Sequence, residues 1–348
     1  MKVTVIRKQT LWLLLLVFFL FLIGSFAAPA VISTAGKQET EEKKFIKWVD
    51  FSPTYQALSD TLKTDIDSHT KEGETPLSMV DILAYLATRY GGDFGRYKKA
   101  DVDKLIKAVK EQNTTIDDLG KSLKNYDYFK EAYGAVLSGF VGSYDIEIPD
   151  PENPEQKTTV SRYGLRVFSP IAKGYSYSHF DDFGVARSYG YKRKHLGHDM
   201  MGSIGTPIIA IESGTVECVG WNQYGGWRIG IRSFDKKRYY YYAHLRKDHP
   251  YNDIYEGKVV TAGDVIGYLG MTGYSTKENV NNINTPHLHY GIQLIFDEET
   301  QKDGVNQIWI DLYAITKLLE KNRSAVTYDK ETKEYYRKYE MFIPETAD

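Results

Sequence analysis

Between about Arg166 and Phe296 the chain is interrupted every few residues by glycine, asparagine or aspartate. Short Val/Ile/Tyr-rich runs fill the intervals, as in Ile208-Ile-Ala, Val216-Glu-Cys-Val, Trp227-Arg-Ile-Gly-Ile-Arg and Arg238-Tyr-Tyr-Tyr-Tyr-Ala. Such runs read as strands, and the residues between them as tight turns, so residues 165–300 are expected to form a compact antiparallel β domain. The 28 tyrosines suit that reading, since tyrosine favours strands and offers flat apolar area with a polar tip.

The preceding region has a different period. Ser78 opens a capping-box-like start, followed by Met79, Ile82, Leu83 and Leu86 at helical spacing and closed by Gly91-Gly92. Val102, Leu105, Ile106 and Val109 mark another helix; Thr115 can cap a third bearing Ile116, Leu119 and Leu123; a fourth runs through Phe129, Tyr133, Val136 and Leu137. Residues 45–144 are thus expected to be a small helical domain. It contains no clustered His or Cys, and the isolated His69 is expected to face solvent. Its role stays open between spacer, partner-binding module and substrate-targeting module. Acids and three prolines in Asp145–Lys157 suggest a linker over 145–164. After the β domain, residues 301–348 should give a helix over Ile308–Leu319, with Trp309, Leu312, Tyr313 and Ile315 near its inner face. A surface extension, Lys321–Asp348, should follow.

At the N-terminus Met1–Thr10 carries Lys2, Arg7 and Lys8 and no acid; Leu11–Ile23 is uninterrupted apolar sequence, and no charge follows before Lys37. A positive flank of this kind stays cytoplasmic, so the remainder is expected to be exported. Residues 1–33 then act either as a single-pass anchor, which needs ~20 apolar residues, or as a signal segment cleaved near Ser25-Phe-Ala27 or Ala28-Pro-Ala30. The length of the charge-free stretch favours an anchor at the cell membrane; secretion after cleavage is the alternative. No lipobox cysteine is present. The fold class is therefore α+β: an N-terminal membrane segment, a small helical domain and a C-terminal antiparallel sheet domain. The single cysteine, Cys218, excludes an intrachain disulfide; lying in an apparent strand, it is expected to be a buried structural thiol. A formal net charge of −2 gives no sign of nucleic-acid binding.

Three fragments of the strand-rich region, His195-Leu-Gly-His-Asp199, Tyr242-Ala-His244-Leu and His287-Leu-His289, hold five of the eight histidines. In a strand, residues i and i+2 share a face, so His287 and His289 can reach one centre while Leu288 points to the core. Around His195 and Asp199, Gly197 favours a turn between strands over a helix, and His198 is peripheral. Imidazole nitrogen and carboxylate oxygen suit Zn²⁺, whose catalytic sites keep one position open for water.

Taken in order, His-x-Gly-x-Asp, Gly205-Thr-Pro207, Gly214-Thr-Val216, Tyr242-Ala-His244-Leu, Gly263-Asp-Val-Ile-Gly267, Gly273 and His287-Leu-His289 resemble the LytM/lysostaphin-type M23 metallopeptidase family. Phe183-Gly-Val-Ala-Arg187 is similar to the Phe-Gly-x-x-Arg that commonly precedes the first ligand motif. The resemblance covers about Arg166 to Phe296. It implies a small β fold with a groove, and one Zn²⁺ per chain held by His195, Asp199 and His289. It also implies catalytic histidines at His244 and His287, and a peptidoglycan peptide, stem or cross-bridge, as substrate. There is no Glu of the His-Glu-x-x-His kind. His287, tied to the implied ligand His289 by strand geometry, is the better candidate base, with His244 orienting water or stabilising the intermediate and either able to protonate the leaving amine. Asn222, Tyr224, Thr272 and Tyr274 are candidate groove walls. The stretch 274–286 is longer than in most relatives, and Arg246–Tyr255 is also enlarged. The expected function is a membrane-anchored extracytoplasmic zinc endopeptidase, with a possible protein partner through the helical domain. The alternative is a non-cleaving scaffold that binds wall or a partner protein.

Overall fold

Side-chain caps delimit the helices of the N-terminal part. Thr54 Oγ1 accepts from Ala57 N ahead of α1 (Tyr55–Thr70). Ser78 caps α2 (Met79–Tyr90), which ends on Gly91 at φ +66°, a left-handed position that suits glycine. Then come α3 (Lys99–Gln112), α4 (Ile116–Gly120), capped by Thr115, and α5 (Tyr126–Leu137). Met79, Ile82, Leu83, Leu86, Val102, Leu105, Val109, Phe129, Tyr133, Val136 and Leu137 are all buried, as their spacing requires. The sequence did not single out α1. His69 near its end faces solvent on one side, and its ring stacks on Tyr163 at 4.0 Å. The computed structural model describes residues 49–189, 191–297 and 307–343. The anchor or signal segment expected in residues 1–33 lies outside them. No helix among the described residues is long and apolar enough to cross a membrane.

The expected linker is in fact a β-hairpin. β1 (Val141–Pro149) pairs antiparallel with β2 (Lys157–Leu165) along its whole length. Tyr144, Ile146 and Ile148 alternate with Asp145 and Glu147, whose carboxylates meet Ser161 and Lys157 across the strands. Pro149 closes β1, and Pro151 and Pro154 lie in the turn, where a missing N–H costs no ladder bond.

A second hairpin, β3 (Ala186–Tyr189) with β4 (Tyr191–Lys194), leads into β5 (His198–Met201). β6 (Pro207–Ile209) precedes β7 (Gly214–Asn222), β8 (Gly226–Ser233), β9 (Arg238–Ala243) and β10 (Val259–Val260). β11 (Val265–Tyr268) pairs with β6. β12 (His287–Leu294) and β13 (Ile308–Trp309) complete the main sheet, ordered β10-β7-β8-β9-β12-β13, with β5 also pairing β12. The helix expected over Ile308–Leu319 is shorter: Ile308 and Trp309 are drawn into the sheet opposite Leu294 and Gln293, and α6 spans Tyr313–Leu319. The C-terminal stretch is no loose extension. β14 (Val326–Tyr328) pairs with β15 (Tyr335–Arg337), and β16 (Met341–Phe342) joins β1, burying Met341. Cys218 sits half-buried beside a bulge in β7, not in the core.

One apolar cluster runs from Leu83, Phe94 and Tyr133 through Ile229, Tyr242 and Leu288 to Leu318, so helices and sheet share a core. A buried arginine ties them further. Arg238 on β9 holds Glu212 through Nε and Nη2, at 2.7 and 2.9 Å, and donates through Nη1 to Ala135 O of α5 at 2.8 Å. Tyr240 donates to the same Glu212. Gly139 makes room for this pair, since a Cβ there would lie 1.7 Å from Glu212 Oε1.

Candidate metal centre and groove

β12 alternates as expected: Leu288 and Tyr290 are fully buried, while His287 and His289 look out on the other face. Register sets His289 opposite Asp199 of β5 on one side and Ala243 of β9 on the other. His195 enters from the turn before β5. Its Nε2 lies 3.0 Å from Asp199 Oδ1 and 3.1 Å from His289 Nδ1, and His289 Nδ1 is 2.8 Å from Asp199 Oδ1. The three expected ligands therefore converge, with all ligand atoms within 4.8 Å of one another. The glycine of His-x-Gly-x-Asp has a steric cause. A Cβ at Gly197 would fall 2.5 Å from His289 Cε1 and 2.8 Å from Tyr290 O.

Two imidazole nitrogens and one carboxylate oxygen, all on one side of a mostly buried cluster, fit a Zn²⁺ site with an open fourth position. The second layer fits as well. Asp182 Oδ1 is 3.0 Å from His195 Nδ1, leaving Nε2 for the metal. Arg187 donates to Asp182 and lies 3.3 Å from Asp199 Oδ2, which leaves Asp199 Oδ1 on the ligand side. Burial alone would raise the Asp199 carboxyl, but hydrogen bonds from His195 and His289 hold it far below the usual carboxylate range. Burial would lower His195, yet its bond to Asp199 and the charges of Asp199 and Asp182 keep it above its ordinary value.

His244 follows β9 at φ +62°, a left-handed conformation uncommon for a residue with a side chain. Its backbone N–H donates to Gly225 O at 2.7 Å. Nδ1 lies 2.9 Å from Thr272 O, and His287 Nδ1 lies 2.7 Å from Thr285 O. A carbonyl can only accept, so both rings carry their proton on Nδ1 and leave Nε2 as a lone pair. His287 Nε2 is 3.8 Å from Asp199 Oδ1, and the two rings are 4.8 Å apart. Burial, then the neighbouring histidine charges, pushes His244 well below its ordinary value; burial also lowers His287. Both shifts favour the neutral ring.

These residues line a cleft of about 1070 Å³. Tyr224 and Tyr274 form part of its walls, as expected. Asn222 and Thr272 do not: Asn222 Oδ1 caps the backbone of Tyr224 and Gly225, and Thr272 is fully buried. The long 274–286 segment supplies Asn282, Ile283, Asn284 and Thr285 to the rim. It is clasped to the other enlarged loop, where Asp248 N donates to Asn279 Oδ1 at 2.9 Å and Asn279 Nδ2 to Asp248 Oδ1 at 2.6 Å. His198 is apart from the site, turned to the opposite face of β5 and bonded to His179 at 2.7 Å. Sequence reasoning missed Asp182 and left Arg187 without a role.

Residues 193–304 match the model of peptidase family M23. Over 123 residues the chain is 41% identical to the L-Ala--D-Glu endopeptidase of Bacillus subtilis (strain 168), covering 35% of this chain and 36% of that protein. It is 42% identical over 97 residues to the lysostaphin of Staphylococcus staphylolyticus, covering 28% of this chain and 18% of that one. The chain thus spans little more than a third of the first relative and under a fifth of the second. The catalytic domain of the antimicrobial peptidase lysostaphin from Staphylococcus simulans aligns at 32% identity with a TM-score of 0.31, covering 40% of this chain and 92% of that one. The chain carries an M23 peptidase domain of the LytM/lysostaphin kind.

Proposed function

We propose that this M23 domain is a zinc-dependent endopeptidase that hydrolyses peptide bonds of bacterial cell-wall peptidoglycan. The observation that carries this reading is the convergence of His195 Nε2, Asp199 Oδ1 and His289 Nδ1 beside two histidines whose Nε2 atoms are free of protons. A Zn²⁺ held by these three residues would polarise the scissile carbonyl and bring the pKa of water towards ~7. The chain's own groups do the rest. His287 Nε2, nearest the ligand cluster, takes the proton from the attacking water. His244 Nε2, one ring away along the groove, accepts a hydrogen bond from that water and orients it, and His287 delivers the proton it has taken to the leaving amine as the C–N bond breaks. The carbonyls of Thr272 and Thr285 fix both rings so that neither nitrogen needs to reorient.

The curated relatives named above act on an L-Ala–D-Glu bond in one case, and the wall peptide is the substrate class this reading carries over. The basic flank and apolar run of residues 1–33 supply, on this reading, the anchor or export signal that places the enzyme outside the cytoplasmic membrane. The test is metal content and release of wall peptides by the purified chain, with His289→Ala and His244→Ala alongside. About one zinc per chain with wall digestion, metal lost in the first variant and hydrolysis alone lost in the second, is the expected result. A wild-type chain that binds zinc yet digests no wall would leave only a binding role.

A further inference from the structure

Beyond the three candidate metal ligands, the groove has a marked charge. Arg187, Arg193 and Lys194 line it, and Asp199 is the one carboxylate among its described lining residues. Arg187 is taken up by Asp182 and Asp199. Arg193 forms no ion pair among the described residues. Its guanidinium donates to the Tyr274 hydroxyl and sits over two rings, 4.9 Å from the centre of Tyr274 and 5.6 Å from that of Tyr224. Those stacking contacts hold a planar, permanently charged fork with further N–H groups to offer, a geometry that matches a carboxylate bidentately. Tyr274 in turn lies 5.8 Å, ring to ring, from His244. The fork is therefore one aromatic ring beyond the catalytic histidines. An extended peptide covers that distance with about two or three residues at ~3.3–3.6 Å each.

We propose that Arg193 is an anion subsite that binds a free carboxylate of the substrate peptide, so that the groove selects acidic stem peptides over neutral glycine bridges. The inference rests on the peptidase reading and deepens it by naming the substrate class. Tyr274 belongs to the long 274–286 segment, so the insertion supplies one jaw of the subsite. A solely structural Arg193, bracing that segment through Tyr274, would give no preference between an acid and its amide.

The probes are a stem-type peptide bearing a D-glutamyl residue with its α-carboxylate free, the same peptide as the carboxamide, and pentaglycine. Binding is measured on the zinc-loaded full chain carrying His287→Ala, which holds substrate without turning it over, and kcat/KM on the wild type. The free acid should be preferred to the amide by about tenfold or more, as suits a charge-assisted pair, and the preference should shrink with added salt. Arg193→Gln should bring the acid-to-amide ratio close to one; Arg193→Lys should keep part of it. Equal treatment of acid and amide, or a full preference surviving in Arg193→Gln, overturns the subsite while leaving hydrolysis intact. A wild type that cleaves none of the peptides, yet binds the acid selectively through Arg193, overturns the peptidase reading while the subsite stands.

Discussion

Asp182 holds His195 by a hydrogen bond at Nδ1, 3.0 Å long, and so turns the opposite nitrogen toward Asp199 and His289. Removing the carboxylate frees the ring to rotate or change tautomer. Asp182→Ala should weaken zinc binding by about 10–100-fold, with Asp182→Asn losing less because an amide oxygen still accepts. Competition against a metal-binding dye reads this directly, and an unchanged affinity in Asp182→Ala would rule the role out.

Gly197 lies against the imidazole of His289, and any Cβ there overlaps it at 2.5 Å. The nearby Tyr290 carbonyl, on the backbone, cannot yield. Gly197→Ala should therefore displace the His289 ring and abolish zinc binding and hydrolysis together, with circular dichroism near that of the wild type. Retention of a full equivalent of metal in this variant contradicts the steric argument.

Arg238 is wholly buried, and its partners Glu212 and Ala135 O lie on separate parts of the fold. Arg238→Ala leaves the Glu212 carboxylate without its counter-charge, which costs about 3–5 kcal/mol for a buried pair. Urea unfolding should show that loss; a change below about 1 kcal/mol, the range of exposed pairs, would mean water reaches Glu212.

His198 is pushed down to about 3 by burial first and by neighbouring His179 second. Its folded value lies below the ordinary 6.5, so the unfolded chain takes up the proton first. The associated stability is complete above about 6.5 and is lost as pH falls from there towards 3, at up to about 1.4 kcal/mol per pH unit. His198→Gln, which keeps a donor for His179, should show a flatter decline in urea midpoint from pH 7 to 5 at constant metal content. Parallel curves for the two proteins would remove His198 from the acid response.

The cluster of His195, Asp199 and His289 was legible because the motifs that carry it resemble, in order, those of M23 peptidases, and a strand's alternation aligns His287 with His289; the roles of His244 and His287 came from that resemblance alone. The second layer was not. Asp182 reaches His195 through a loop and a short hairpin, with no period to betray it, and the fork of Arg193 exists only once two distant loops bring Tyr224 and Tyr274 to it. The hairpin of β1 and β2 was hidden by its acids and prolines, which mimic a linker although Tyr144, Ile146 and Ile148 alternate beneath them. The last strands are two or three residues long, too short to show a period, and the partner of β16 is β1, far away in sequence, so only tertiary pairing reveals it.

The reciprocal amide and carboxylate bonds between Asn279 and Asp248 couple the two enlarged loops to each other as well as to the strands beneath them. They form a single cassette at the mouth of the cleft. Grafted together onto a relative, they would carry Tyr274 and the rim with them, and the proposed choice of peptide would follow only if the host also offered an arginine in the place of Arg193.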